Sequence, residues 1–217
     1  MYFSALRFLL LSILFMADGF EFAMAQPTIA QCPVPPDVTQ NVQKQTQEAT
    51  AWLKRAKSNE ERAKALNNRA HTYFVLRKFD LAIKDRETER SLTGKVFCQR
   101  CLAEAYMANG QYDKAIGEMN EVHQRRKLGN YSHLCYRGMA YYLKGDYPSA
   151  LKDFEDTLLD RDDFKFCGMY GRGLVKIKTG DAAGGRADIA ATIAADATAK
   201  YKIDYPYLFC IHGIVGG

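Results

Sequence analysis

Tryptophan occurs once, histidine four times and proline six times in 217 residues, and each scarcity removes a class of function. The histidines, His71, His123, His133 and His212, stand in no metal-ligand spacing such as HExxH. No second Cys-x-x-Cys accompanies Cys98-x-x-Cys101, so a four-thiolate zinc site is not completed. No glycine-rich phosphate loop is present, since Gly184 and Gly185 fall inside a stretch of helical pattern. No Ser/His/Asp or Cys/His arrangement can be read from the residue order. The expectation is therefore a non-catalytic protein with no metal and no cofactor. Few prolines, together with apolar residues at helical spacing, predict an all-α fold. With 47% hydrophobic and 25% charged residues, the chain is long enough for one compact unit. Its net charge is +5, but the basic residues are spread out, with one small cluster at Arg125, Arg126 and Lys127. A nucleic-acid binder would concentrate that charge on one face, so we expect a solvated basic surface and no nucleic-acid partner.

Long apolar runs are also missing. The longest, 8–17, follows a single early charge, Arg7, and is half the roughly 20 residues that a helix needs to cross a bilayer. It leads to Ala23-Met24-Ala25, an A-x-A site. That is the layout of a secretory signal peptide over 1–25, cleaved after Ala25, and it predicts a secreted or periplasmic protein. Membrane contact would come only through an uncleaved N-terminal segment. Cys32 lies too far downstream, behind Gln31, to be a lipidation site.

What the sequence has in plenty is a repeated pattern. In the segment 136–154, YRGMAYYLKGDYPSALKDF, Gly138 is small where two helices must touch, and Tyr141 lies on the same face. Gly145 ends the first helix in a left-handed conformation, Asp146 caps the next, and Tyr147, Ala150 and Phe154 form the buried face of that second helix. The small residue recurs at Ala70, Ala103, Gly138 and Gly173, at intervals of 33, 35 and 35 residues. Three positions on come Tyr73, Tyr106, Tyr141 and Lys176, and seven on come Arg77, Gly110, Gly145 and Gly180. Twelve on come Ala82, Ala115, Ala150 and Gly185, and sixteen on come Arg86, Met119, Phe154 and Ile189. A helix-turn-helix unit repeating about every 34 residues resembles the tetratricopeptide repeat (TPR) family. The chain departs from that family in having Leu66, Gln99, Leu134 and Met169 at its early tryptophan position, and in lacking the closing proline.

The resemblance implies an all-α, right-handed solenoid of about four repeats, near 59–94, 95–129, 130–163 and 164–197. Before it come a proline-rich lead and an N-terminal capping helix within 26–58, with Ser58 and Glu61 as a capping box at the junction. Helices are expected at 37–57, 59–76, 79–91, 95–109, 112–124, 131–144, 147–160, 164–179 and 182–195. The apolar tail 198–217 is expected to pack over the exposed end of the fourth repeat, the alternative being that it lies in the groove and blocks it.

In such an array the first helices line a concave groove for a partner protein or an extended peptide. The resemblance places Lys64, Asn67, His71 and Phe74 there from repeat 1, and Phe97, Arg100, Glu104 and Met107 from repeat 2. Repeat 3 adds Ser132, Cys135, Met139 and Tyr142, and repeat 4 adds Cys167, Tyr170, Leu174 and Ile177. The lining becomes more apolar toward repeats 3 and 4, which favours bulky apolar anchors on the partner. The positions of a carboxylate clamp hold Asn67, His71, Cys101, Ser132 and Tyr136, with no Lys or Arg, so that use is not expected. Arg69, Arg137 and Arg172, each just before the small anchor, are read as structural or surface residues. The six cysteines, Cys32, Cys98, Cys101, Cys135, Cys167 and Cys210, permit disulfides in an exported chain. Cys135 and Cys167 fall on neighbouring first helices, which leaves a bridge from Cys135 to either Cys167 or Cys101 open. Cys98 and Cys101, expected inside a helix, carry the alternative reading of a thiol-active protein. A structural envelope component with a retained anchor is a further alternative.

Overall fold

The computed structural model describes residues 36–125, 132–159 and 164–196, and among them it holds nine α-helices and no strand. The all-α expectation is met. The expected signal peptide over 1–25, Cys32, Cys210 and the segment 198–217 lie outside the described residues. The helices are α1 (Pro36–Arg55), α2 (Asn59–Val75), α3 (Phe79–Thr93), α4 (Gln99–Ala108), α5 (Tyr112–Arg125), α6 (Ser132–Lys144), α7 (Tyr147–Thr157), α8 (Phe164–Lys178) and α9 (Ala182–Asp196). Among the described residues, no helix is long and apolar enough to cross a membrane.

Several starts and stops have a local cause. Ser58 caps α2 by accepting from the Glu61 N–H at 3.1 Å, and Glu61 reaches back to the Lys57 N–H at 2.7 Å. Lys54 and Arg55 sit at the C-terminal end of α1, where their charge opposes the helix dipole. Asp146 accepts from the Ser149 N–H at 3.2 Å and opens α7.

Four turns, after α2, α4, α6 and α8, are built alike. In the last three the N–H of Gly110, Gly145 or Gly180 bonds back three residues, and the next N–H bonds back five. This is the Schellman arrangement, and it needs a left-handed residue at its centre. Gly110, Gly145 and Gly180 supply it with φ of 73°, 86° and 105°. In the first turn the same place is taken by Arg77, at φ 58°. An L residue there is strained, so Arg77→Gly should stabilise the fold by up to about 1 kcal/mol, read as a shift in the urea midpoint without a change in slope.

One expected boundary is corrected. The fourth helix begins at Gln99, not at 95. Gly94 ends α3 in the left-handed conformation, and the Phe97 N–H donates to the buried Glu89 carboxylate instead of entering a helix. Cys98 then becomes the N-cap of α4, its sulfur accepting from the Cys101 N–H at 3.2 Å.

Helices neighbouring in sequence pack together, and the short connections make them antiparallel hairpins: α2 with α3, α4 with α5, α6 with α7, and α8 with α9. The first helices of successive hairpins also touch, α4 with α6 and α6 with α8, while α1 packs on α2. The core runs through this interleaving. At its centre Phe154 of α7 is fully buried. A Cβ added to Gly138 of α6 would stand 2.8 Å from its ring, and one added to Gly171 of α8 would overlap the ring from the next hairpin. One side chain therefore fills the space between two hairpins. The last hairpin closes more tightly still, because a Cβ on Gly173 would come within 2.7 Å of the Gly185 carbonyl oxygen.

The recurring arginines have a shared task. Arg69, Arg137 and Arg172 each grip a carboxylate 16 residues on, through two hydrogen bonds of 2.6–2.8 Å: Asp85, Asp153 and Asp188. Each pair ties the two helices of one hairpin with planar, bidentate geometry. The second hairpin has Leu102 at the arginine position. Its acid, Glu118, takes a 2.6 Å bond from Arg90 of the preceding hairpin.

Candidate functional site

The first helices present one continuous set of side chains, and its character changes along the molecule. At the α2 end it is open. A cavity of about 540 Å³ is bounded by Asn67 and His71 of α2, by Gln45, Glu48 and Trp52 of α1, and by Arg86 of α3. Cys98 and Cys101 close its far wall. A second cavity, of about 580 Å³, lies on the other side of the α4 N-terminus and includes Phe97, Arg100, Ser132 and Tyr136. Phe97, in the wall of this second cavity, stands 46% exposed.

The polar groups here are charged and close-set. Arg86 is almost fully buried, where the other hairpins have Met119, Phe154 and Ile189. It donates to Asn67 Oδ1 at 2.9 Å and stands 3.9 Å from Glu89 Oε2. Burial lowers the Arg86 pKa, though a guanidinium remains charged at neutral pH. Burial also lowers His71, and the Arg86 charge adds to it, both favouring the neutral imidazole. Burial pushes the Glu104 carboxyl up, against the pull of Arg100 and Arg86. Arg100 donates to the Tyr136 hydroxyl at 3.0 Å and lies over its ring at 5.2 Å. Burial, with Glu104 nearby, pushes the Tyr136 phenol up to about 12. The first cavity thus offers an imidazole, the Arg86 guanidinium, the Glu48 carboxylate and the amides of Gln45, Asn67 and Asn68, and the second adds the Arg100 guanidinium and the Tyr136 phenol.

Of the positions expected to face a partner, Asn67 and His71 share the first cavity, and Phe97, Arg100 and Ser132 share the second. Glu104 is half-buried between the arginines. Phe74 packs edge-on to Phe79, with ring centroids 5.5 Å apart. Met107, Met139, Tyr142, Tyr170 and Leu174 are buried, and Ile177 is partly so. Cys135 and Cys167 are bonded to each other, which joins α6 to α8 and stabilises by roughly 2–5 kcal/mol. Cys98 and Cys101 form the other bridge among the described residues. Their place is a correction: the pair sits on the N-terminus of α4 rather than inside a helix, because Cys98 is spent as the cap. Among the described residues no group of three or more His, Cys, Asp or Glu could hold a metal ion.

Gln45, Glu48 and Trp52 were missed as walls of the site, since nothing in the sequence orients α1 against α2. The signal for Arg86 was present: a charge standing where the other hairpins bury an apolar side chain. Compared with known proteins, the chain matches no protein-family model and no curated protein.

Proposed function

We propose that this is an exported, non-catalytic scaffold of the tetratricopeptide type, which holds an extended segment of a partner protein against α2 and α4. The observation that carries the reading is a pair of open cavities that share Cys98 as a wall. The first presents the amides of Gln45, Asn67 and Asn68 with His71 and Arg86, and the second presents exposed Phe97 as an apolar anchor with Arg100, groups able to bond a peptide main chain. The four alike turns and the three repeated Arg–Asp ties support the repeat reading. A chemical cross-linking pull-down from the exporting cell tests it, comparing the wild type with a His71→Ala/Phe97→Ser variant of unchanged circular dichroism. We expect the variant to lose at least about tenfold of the specific partner, as removal of a central anchor does. Equal recovery by both forms overturns the reading.

A second reading has its own observation. Cys98 and Cys101 form a half-exposed bridge at a helix N-terminus; both line the first cavity, and Cys98 also lines the second. That position lowers the pKa of a thiol. Such a bridge would oxidise a partner's dithiol: one partner thiolate attacks a sulfur of the bridge to form a mixed disulfide. The second partner thiolate resolves it, leaving two thiols here and a disulfide there. Alkylation of the reduced protein separates the two readings. A thiolate at Cys98 or Cys101 well below the ordinary thiol range favours exchange, and ordinary titration excludes it.

A further inference from the structure

The two cavities differ in charge. The first is balanced: its guanidinium, on Arg86, is almost fully buried, bonded to Asn67 and 3.9 Å from Glu89, and Glu48 adds a carboxylate to the lining. The second is not. Val96, Phe97, Val122 and Phe164 give it apolar walls, and Arg100 and Arg125 stand among them. Among the described residues that line it there is no carboxylate. Its volume of about 580 Å³ falls within the roughly 300–1,000 Å³ of ligand pockets.

The acids that face these two arginines stand outside the lining. Arg100 comes no closer than 3.7 Å to Glu104, and it donates its hydrogen bond to an uncharged group, the Tyr136 phenol. Arg125 donates to Glu121 at 2.6 Å, and both members of that pair are exposed. An exposed pair contributes little, so a second carboxylate can share or displace it at small cost. Glu118 is already held by Arg90 and Gln99. A guanidinium carries five donors. Among the described residues Arg100 spends one of them on a hydrogen bond and Arg125 two, the weaker a 3.5 Å contact with Gln99. We propose that the second cavity selects an acidic segment of the partner: a bulky apolar side chain, aromatic or leucine, enters the apolar walls, and carboxylates flanking it in the same segment bond Arg100 and Arg125. This inference rests on the partner-binding reading and specifies its partner. The walls set the anchor, and planar guanidinium groups with donors to spare set the charge. A nucleic acid fits less well, because its backbone calls for a groove of cations that tracks successive phosphates.

Random-peptide display against the purified, oxidised protein tests it, followed by titration with fluorescein-labelled, C-terminally amidated copies of the selected peptides. The wild type should enrich peptides that carry an aromatic residue or leucine with Asp or Glu close by. Arg100→Gln/Arg125→Gln should bind these at least about tenfold more weakly, as loss of charge-assisted hydrogen bonds does. Analogues with Ser in place of each acid should bind both forms alike, and added salt should bring the wild type toward the variant. Should the double variant lose its helical spectrum, Arg125→Glu, at an exposed side chain, takes its place and should weaken the same peptides about threefold or more. Undiminished binding by a folded variant overturns the inference. Enrichment of neutral or basic peptides overturns it too but leaves the scaffold reading standing, since a segment is still bound. Enrichment of acidic peptides without an apolar residue marks a general polyanion surface and overturns the anchor. No enrichment by the folded wild type also overturns the inference, and the pull-down then judges the scaffold reading separately.

Discussion

Phe154→Ala should cost about 3–5 kcal/mol, among the largest losses available to a single substitution in this chain. The ring is fully buried and fills the gap between Gly138 and Gly171, one on each neighbouring first helix. Removing it leaves a cavity that neither glycine can fill, and the surrounding helices are held by the Cys135–Cys167 bridge and cannot collapse onto it. The check is urea denaturation followed by tryptophan fluorescence and circular dichroism. A double-mutant cycle sharpens it. Gly171→Leu should be severely destabilising in the wild type, because its side chain would overlap the ring, and much less so in Phe154→Ala, where it enters the vacated space. Additive costs would show that the ring and the glycine are not in contact.

Asp153→Ala should cost a similar 3–5 kcal/mol, for an electrostatic reason. Arg137 reaches this carboxylate with two bonds, of 2.7 and 2.6 Å, and the pair is largely withdrawn from water. Without Asp153 the guanidinium keeps only Asn120 Oδ1, at 2.8 Å, and it cannot shed its charge. Arg137→Ala should be milder, since burial already lifts the Asp153 carboxyl above its ordinary range and the group can escape by taking up a proton. The sign of the pH dependence follows. In Arg137→Ala the folded-state pKa of Asp153 lies above the unfolded value of about 3.9, so relative stability is greatest below that value and is lost as pH rises through the folded pKa. Chemical denaturation of the variant at pH 4.5 and pH 7 tests this, with greater stability expected at the lower pH once the wild-type trend is subtracted. The double variant Arg137→Met/Asp153→Leu should recover most of the loss, because a packed apolar pair replaces a buried ionic one at little cost.

Local signals carried most of the helix assignment. Gly110, Gly145 and Gly180 announce the three glycine-centred turns, and Ser58 and Asp146 announce two starts, because a cap or a left-handed residue acts within a few positions of itself. The failure at 95–98 came from a longer reach, the Glu89 carboxylate capturing the Phe97 N–H eight residues away. The arginines at 69, 137 and 172 were visible as a series, but their acids 16 residues later became meaningful only once the two helices were folded back on one another. The candidate site divides in the same way. Which side chains share the first-helix face follows from helical periodicity, which relates Asn67, His71 and Arg100, whereas Phe97 stands before the start of α4 and outside that periodicity. Whether a member such as Tyr142 or Leu174 meets water depends on what packs there from distant parts of the chain, and no periodicity records that.

The ring shared between Gly138 and Gly171 also bears on how the molecule could change over generations. Arrays of similar units commonly lengthen or shorten by gaining or losing whole copies, and each new junction must accept whatever neighbour it receives. Phe154 makes the junction of the last two hairpins intolerant, because an inserted copy would have to present a glycine at one defined place or be refused. Met119, which holds the corresponding place one hairpin earlier, is unbranched and adaptable. Duplication and loss are therefore to be sought on the α5 side of the molecule, with the C-terminal two hairpins inherited as a block.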